Sequence, residues 1–292
     1  MFYFRELRYF LAAKKSFLSK KKTTSAYAIQ LRKFGHQLER FLWDPSSYPK
    51  DFGELYCKNI EQIIALRRKE ISPEVAAWAE KIAREYKNRG NNERFHCPLL
   101  KNGTRRKPQA LETKQVLNLM KQRRSRRIFE NLPLTDEDKE TITAAAQLAP
   151  SSCNRQTIDL IFVEDKKLKS FIASTIPGGF QFFDRAPCII VFVSNAGDYR
   201  YPDDRVVPFI DAAAAIENIY LICETMGLGC CWGSYNSFGS VMHENEVRRQ
   251  LSIPKTHLIV GSLAVGKSEQ VVCPVARDPE AARFWNNCYG KK

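Results

Sequence analysis

Between residues 27 and 42, Tyr27 or Ala28, Leu31, Phe34, Leu38, Phe41 and Leu42 recur on one face of a 3.6-residue period, with Arg32, Lys33, Glu39 and Arg40 between them. Val75, Trp78, Ala79, Ile82 and Tyr86 repeat that spacing after Ser72-Pro73, a helix start. The first part of the chain therefore predicts amphipathic helices and no strand. Beyond residue 110 the period changes. Residues 112–122 read as a helix, and Thr135-Asp-Glu-Asp138 opens another, with Thr135 as N-cap, three acids in its first turn and Pro150 closing it. Ile158–Val163, 188–193 and 258–265 are apolar, β-branched runs of strand length, the pattern of strands covered on both faces. Residues 211–226 are helical in period yet apolar nearly all round, so that helix must be buried, either centrally or against another subunit. Gly227 ends it, supplying a residue that tolerates positive φ. Strands and helices mixed in this way predict an α+β or α/β domain over 111–292, preceded by a helical extension over 1–110.

Charge sharpens that boundary. Of the formal +14, residues 1–110 hold +13, from 24 Lys and Arg against 11 Asp and Glu. Asn88 to Pro108 is polar and contains Gly and Pro, as a linker would. The densest basic cluster, Lys14, Lys15 and Lys20 to Lys22, admits contact with nucleic acid or an anionic membrane, but no nucleic-acid-binding module accompanies it. A solvated basic face is the favoured reading. No run of 18 apolar residues and no secretory leader is legible, so cytoplasmic residence is expected. Nine cysteines without a C-x-x-C pair argue against a zinc cage and a disulfide framework.

Three motifs bring chemistry. In Arg123-Arg-Ser-Arg-Arg-Ile-Phe129, four guanidinium groups crowd one hydroxyl, a repulsion that a phosphate relieves by bidentate pairing; a solvated basic run is the alternative. In Ala149-Pro-Ser-Ser-Cys-Asn-Arg-Gln156, hydroxyls and amides sit on a turn entering a strand, where ligand-orienting groups are often found and where a plain structural turn has the same composition. Gly227-Leu-Gly-Cys-Cys-Trp-Gly-Ser234 misses the dinucleotide fingerprint, because its third glycine is one place late and a helix precedes it. It reads as a glycine-rich turn that brings backbone N–H groups to a flat ligand, or as a tight corner with Trp232 as core. His36, His96, His243 and His257 lie outside all three, so neither a Ser-His-Asp nor a metal site is supported.

In this order, R-R-S-x-R, A-P-S-x-x-N-x-Q and G-L-G-x-C-W resemble the FMN-dependent nitroreductases over residues 123–277. The resemblance implies an α+β nitroreductase-like FMN-binding fold, with a central mixed sheet covered by helices. It also implies FMN as cofactor, NADH or NADPH as reductant, a small organic electron acceptor such as a nitro compound or quinone, and a homodimer with shared sites. Arg123 and Ser125 would hold the FMN phosphate, with Arg124 nearby and Arg277 completing that site, and Arg127 would reach the pyrimidine edge. Ser151, Ser152 and Asn154 would approach from the partner subunit, and Pro150 and Gln156 would also be cofactor-binding. Trp232, Gly233 and Ser234 would lie beside the flavin, the last two at N5 and O4, and no side-chain acid or base is compelled. Departures are Gln156-Thr157-Ile158, where the family often has Q-P-W, and a short connection between Val163 and Ala186. That connection leads us to expect the helices of residues 26–86 to wall the substrate pocket, with Trp78, Phe34 or Tyr86 turned to the core. Rival readings are a specialised flavin-dependent dehydrogenase or flavin-handling protein, and a non-enzymatic binding module using the basic helices.

Overall fold

The computed structural model describes residues 24–44, 47–49, 51–89, 113–176, 180–199, 202–233, 241–273 and 287–288. Ser234, Arg277, the Lys14 to Lys22 cluster and most of the Asn88 to Pro108 stretch lie outside them.

Among the described residues the extension holds three α-helices, α1 (Thr24–Trp43), α2 (Glu54–Arg67) and α3 (Pro73–Arg89). The sequence pattern predicts the first and third. The second has only a shallow apolar stripe, and Cys57 and Ile60 are its buried residues. Leu31, Leu38, Leu42, Ile60, Ile71, Ala79 and Ile82 make a core belonging to the extension itself. Gly35 lets α1 and α3 cross closely, since a Cβ there would lie 2.4 Å from the Trp78 ring. This corrects the expected wall of aromatics: Phe34, Trp78 and Tyr86 pack within the extension, and Trp78 Nε1 donates to Glu39 at 3.1 Å. The three helices cover their apolar stripes against one another.

The larger part is a four-stranded sheet in the order β1-β2-β4-β3, from β1 (Ile158–Val163), β2 (Cys188–Asn195), β3 (Leu228–Gly233) and β4 (His257–Lys267). All three pairings are antiparallel. The mixed character expected of the sheet is confined to one parallel bridge between Ser125 and Cys230 at the β3 edge. Central β2 and β4 are buried on both faces, as their sequences predict, whereas β1 is a half-buried edge. On β2, Cys188, Ile190 and Phe192 face one core while Ile189, Val191 and Val193 face the other. Strand β4 carries an extra residue opposite Phe192 and Val193, which reverses its alternation: Leu258 and Val260 join the first core on one side of it, Leu263 and Val265 on the other.

Helices cover both faces. The first core is closed by α5 (Asp136–Gln147) and α8 (Val207–Thr225), the second by α6 (Lys166–Thr175), α7 (Phe180–Arg185) and α9 (Val241–Gln250). The short connection after Val163 thus holds two helices, spent on covering the sheet. Thr135 caps α5 with a full capping box, its hydroxyl accepting from Asp138 N at 3.1 Å. Residues 204–225 have the length and composition of a membrane span, but Ala212, Ile216, Ile219 and Cys223 pack on the sheet, as in the core helix of a folded domain. Gly227 follows at φ +70°, as expected.

Candidate cofactor site

Helix α8 organises the site because polar groups stand at both ends of its apolar length. Near its C-terminal end, Tyr220 is 4% exposed, and burial pushes its phenol pKa up, so it stays protonated. Its oxygen accepts the backbone N–H of Trp232 at 2.6 Å and is also hydrogen-bonded to Ser125. The arginine motif, leaving α4 (Thr113–Gln122), is thereby fixed against β3, with Arg126 N donating to Cys230 O at 2.9 Å.

The four arginines have different partners. Arg126 turns inward, its guanidinium 2.8 Å from Glu224 and bonded to the Gln270 carbonyl. Arg123 lies 5.2 Å over the Tyr220 ring with Glu217 at 3.8 Å. Arg124 donates to the Arg123 carbonyl at 2.7 Å, and Arg127 lies over Phe182 at 5.5 Å. Among the described residues no ion pair engages Arg124 or Arg127. Glu224 and the more distant Glu217 pair two of the four guanidinium groups, so a net positive charge remains around Ser125, carried by Arg124 and Arg127, a donor set that suits a phosphate.

The residues 228–233 form a strand, not a turn. Trp232 is 43% exposed, which corrects its reading as core, while Cys230 and Cys231 are buried. Gly233 leaves no room for a side chain, since a Cβ would stand 2.5 Å from Phe183 and 2.7 Å from Ser262 Oγ; packing alone accounts for this glycine. Its carbonyl accepts from Ser262 Oγ at 3.0 Å. Burial raises the Cys231 thiol pKa, with Arg127 and Ser125 opposing, and burial beside Cys223 raises that of Cys230.

The second motif sits at the other end of α8. Ser152 N donates to the Asp211 carboxylate at 3.1 Å, and Tyr199 OH donates to it at 3.3 Å. Arg155, 3% exposed, donates to Ser152 Oγ at 2.8 Å, and Thr157 links Tyr199 to Ser194. Burial raises the Asp211 pKa while the Ser152 N–H opposes it. Ser151 Oγ accepts from Gln156 N at 3.0 Å, and Gln156 donates to Asn154 at 2.7 Å. Cys153, Asn154 and Gln156 hold φ of 53°, 53° and 52°, a conformation that side chains resist. Sequence reasoning misses Asp211, Tyr220, Tyr199 and Arg155 as supports. The signal for the first two is their polarity in a helix otherwise built for burial.

One chain does not bring the two motifs together. A cavity of about 380 Å³ touches Pro150, Ser151, Gln156 and Asp211, and another of about 510 Å³ touches Arg124 and Arg126; neither is bounded by both motifs. Among the described residues no cluster of metal-ligating side chains is present.

Comparison with known proteins follows the same division. The nitroreductase family signature matches residues 120–177 and 175–267, half of the chain, beginning after the helical extension. An Archaeoglobus fulgidus protein whose name couples NADH dehydrogenase with NAD(P)H nitroreductase is 30% identical over 152 residues, 52% of this chain and 84% of its own length. An FMN reductase [NAD(P)H] of Bacillus subtilis is 26% identical over 184 residues, covering 58% of this chain and 72% of that protein. The structure of an FMN-dependent nitroreductase from Clostridium difficile R20291 superposes with a TM-score of 0.52 at 26% identity, over 58% of this chain and 99% of that one. With the sheet, the arginine motif and the signature in agreement over the same residues, the chain belongs to the nitroreductase family.

Proposed function

We propose that this chain is an FMN-dependent NAD(P)H oxidoreductase working as a homodimer, in which each cofactor site takes its arginine motif from one copy and its Ser151–Gln156 segment from the other. The observation that carries this reading is the excess positive charge around Ser125, where Arg124 and Arg127 have no ion pair among the described residues, at the opposite end of α8 from the second motif. The named relatives, an FMN reductase and an FMN-dependent nitroreductase, supply the cofactor and the reductant class.

FMN, when bound, supplies the chemistry that accepts a hydride equivalent from a nicotinamide and passes electrons to a second substrate. The chain's own groups bind and orient. Arg123, Arg124 and Arg277 would neutralise the phosphate and Ser125 would hydrogen-bond it; Arg127 would offer a guanidinium to the electron-rich edge of the ring. Trp232 would contribute its exposed indole and Gly233 and Ser234 their backbone, while Pro150, Ser151, Ser152, Asn154 and Gln156 would approach from the second copy. Both substrates then use one pocket in turn, a ping-pong order, with the acceptor a nitro compound, quinone or other small organic molecule. Cytoplasmic residence, where NAD(P)H is regenerated, accompanies this reading.

The test is spectroscopic and kinetic. The purified protein is expected to be yellow, absorbing near ~450 nm, to release FMN on denaturation, and to give parallel double-reciprocal plots with NADH or NADPH against a quinone or nitroaromatic series. A colourless protein that takes up no added FMN in equilibrium dialysis overturns the reading and favours the binding-module alternative.

A further inference from the structure

The helical extension touches the cofactor half at a chemically specific point. Arg32, on the face of α1 away from the extension's core, points its guanidinium at the backbone of the second motif. Nε and Nη2 donate to the Arg155 carbonyl at 3.1 and 2.8 Å, and Nη2 also reaches the Gln156 carbonyl at 3.4 Å. These carbonyls close the segment in which Cys153, Asn154 and Gln156 hold left-handed backbone. Such a segment keeps its shape only where its surroundings over-determine it. From inside, Asp211 holds Ser152 N and Arg155 holds Ser152 Oγ; from outside, the contact is Arg32. Leu31, next to it in α1, is fully buried in the extension, so the extension's own packing fixes where Arg32 stands. Burial lowers the Arg32 pKa, and the nearby Asp198 and Asp159 carboxylates oppose that shift. The Arg32 side chain also lines the cavity bounded by Pro150, Ser151 and Gln156.

We propose that Arg32 is a positioning residue for the cofactor site: by forking onto the Arg155 and Gln156 carbonyls it holds Ser151, Ser152 and Asn154 in the conformation that meets the flavin of the partner subunit. This rests on the reading that the 151–156 segment approaches FMN. The extension is then a clamp on the active-site loop, reached through one guanidinium. Lysine would substitute only in part, because a single ammonium lacks the fork that spans two carbonyls.

The experiment uses the full-length flavin-loaded protein and four variants: Arg32→Ala, Arg32→Lys, Asn154→Ala and the double Arg32→Ala/Asn154→Ala. FMN dissociation constant, visible circular dichroism of the flavin and its two-electron midpoint potential are measured for each. The expected result is a loss of FMN affinity of about five- to tenfold in Arg32→Ala, with a change in flavin dichroism matching that of Asn154→Ala, and a double variant little worse than the poorer single one. Arg32→Lys falls between wild type and Arg32→Ala. Where Arg32→Ala does not fold, the comparison of Arg32→Lys with Asn154→Ala decides. If Asn154→Ala perturbs the flavin while both Arg32 variants leave affinity, dichroism and potential at wild-type values, the clamp is overturned and the loop reading stands. Additive effects in the double variant also overturn it. If Asn154→Ala has no effect on any flavin property, the loop reading fails and takes the clamp with it.

Discussion

The Tyr220 hydroxyl sits 2.6 Å from the Trp232 backbone nitrogen and accepts its N–H, which joins the core helix α8 to edge strand β3 directly beneath the arginine motif. The phenol is also bonded to Ser125, so one buried oxygen registers helix, strand and motif together.

Tyr220→Phe removes that oxygen and keeps the ring. Leaving the Trp232 N–H unpaired is expected to cost about 1–3 kcal/mol of stability. The loss is read from urea unfolding, and because Ser125 is released too, FMN affinity falls with it. A variant equal to wild type in both would show that water replaces the phenol and that Tyr220 does not register the motif.

Arg123→Ala tests the phosphate assignment. Loss of one charge-assisted contact is expected to weaken FMN binding by ~1.5–3 kcal/mol, giving a paler protein. Arg123 has only Glu217 at 3.8 Å as its carboxylate partner, so the thermal midpoint of the flavin-free protein should change little. Unaltered FMN affinity by fluorescence titration removes Arg123 from the site.

Asp198 gives a pH dependence with a definite sign. Burial pushes its carboxyl pKa up to about 7, against the pull of Arg32 and Arg155 and helped by Asp159, and its Oδ2 is buried without a hydrogen-bond partner. Because the folded-state pKa lies above the unfolded one, the folded protein holds an extra proton between about pH 4 and pH 7. Stability from this group is therefore full below about pH 4 and is lost as pH rises through 7. Asp198→Asn is expected to melt higher than wild type at pH 8, with the advantage shrinking at pH 6 and absent near pH 4. A gap independent of pH, measured by differential scanning calorimetry, contradicts this.

The proposed dimer has its own test. Ala215 and Ile216 on α8 are covered by their own chain, whereas Ile210 is 62% exposed and Val206 44% exposed at the same helix's start, with Leu148 82% exposed at the end of neighbouring α5. Apolar groups left open on a core helix invite a second copy. Ile210→Glu is expected to shift light scattering from dimer to monomer and to strip FMN, while circular dichroism stays native. A dimer with full FMN content would place the interface elsewhere.

Legibility in the sequence followed physical locality. The helices of residues 27–42 and 75–86, the Thr135 cap, strands β1, β2 and β4 and the Gly227 stop are readable because each is written in neighbouring residues. Strand β3 was hidden behind its glycines, which suit a turn, although Gly229 and Gly233 are there because Arg126, Ser268, Phe183 and Ser262 crowd the strand. Antiparallel pairing escaped because burial on both faces looks alike for either strand direction. Of the candidate site, the motifs are legible and their supports are not. Asp211, Tyr220 and Arg32 act over separations of 12 to 124 residues, and no local pattern in a single sequence announces such pairs.

Helix α8 is also a ruler. Asp211 and Tyr220 are held about 14 Å apart by an unbroken rod rising 1.5 Å per residue. One residue inserted between them would lengthen the rod slightly, but it would swing one end through about 100° relative to the other. Either Tyr220 would leave Trp232 or Asp211 would leave Ser152. The spacing of the two motifs is thus quantised in helical steps: loops on either side can vary in length, while this segment must keep its count.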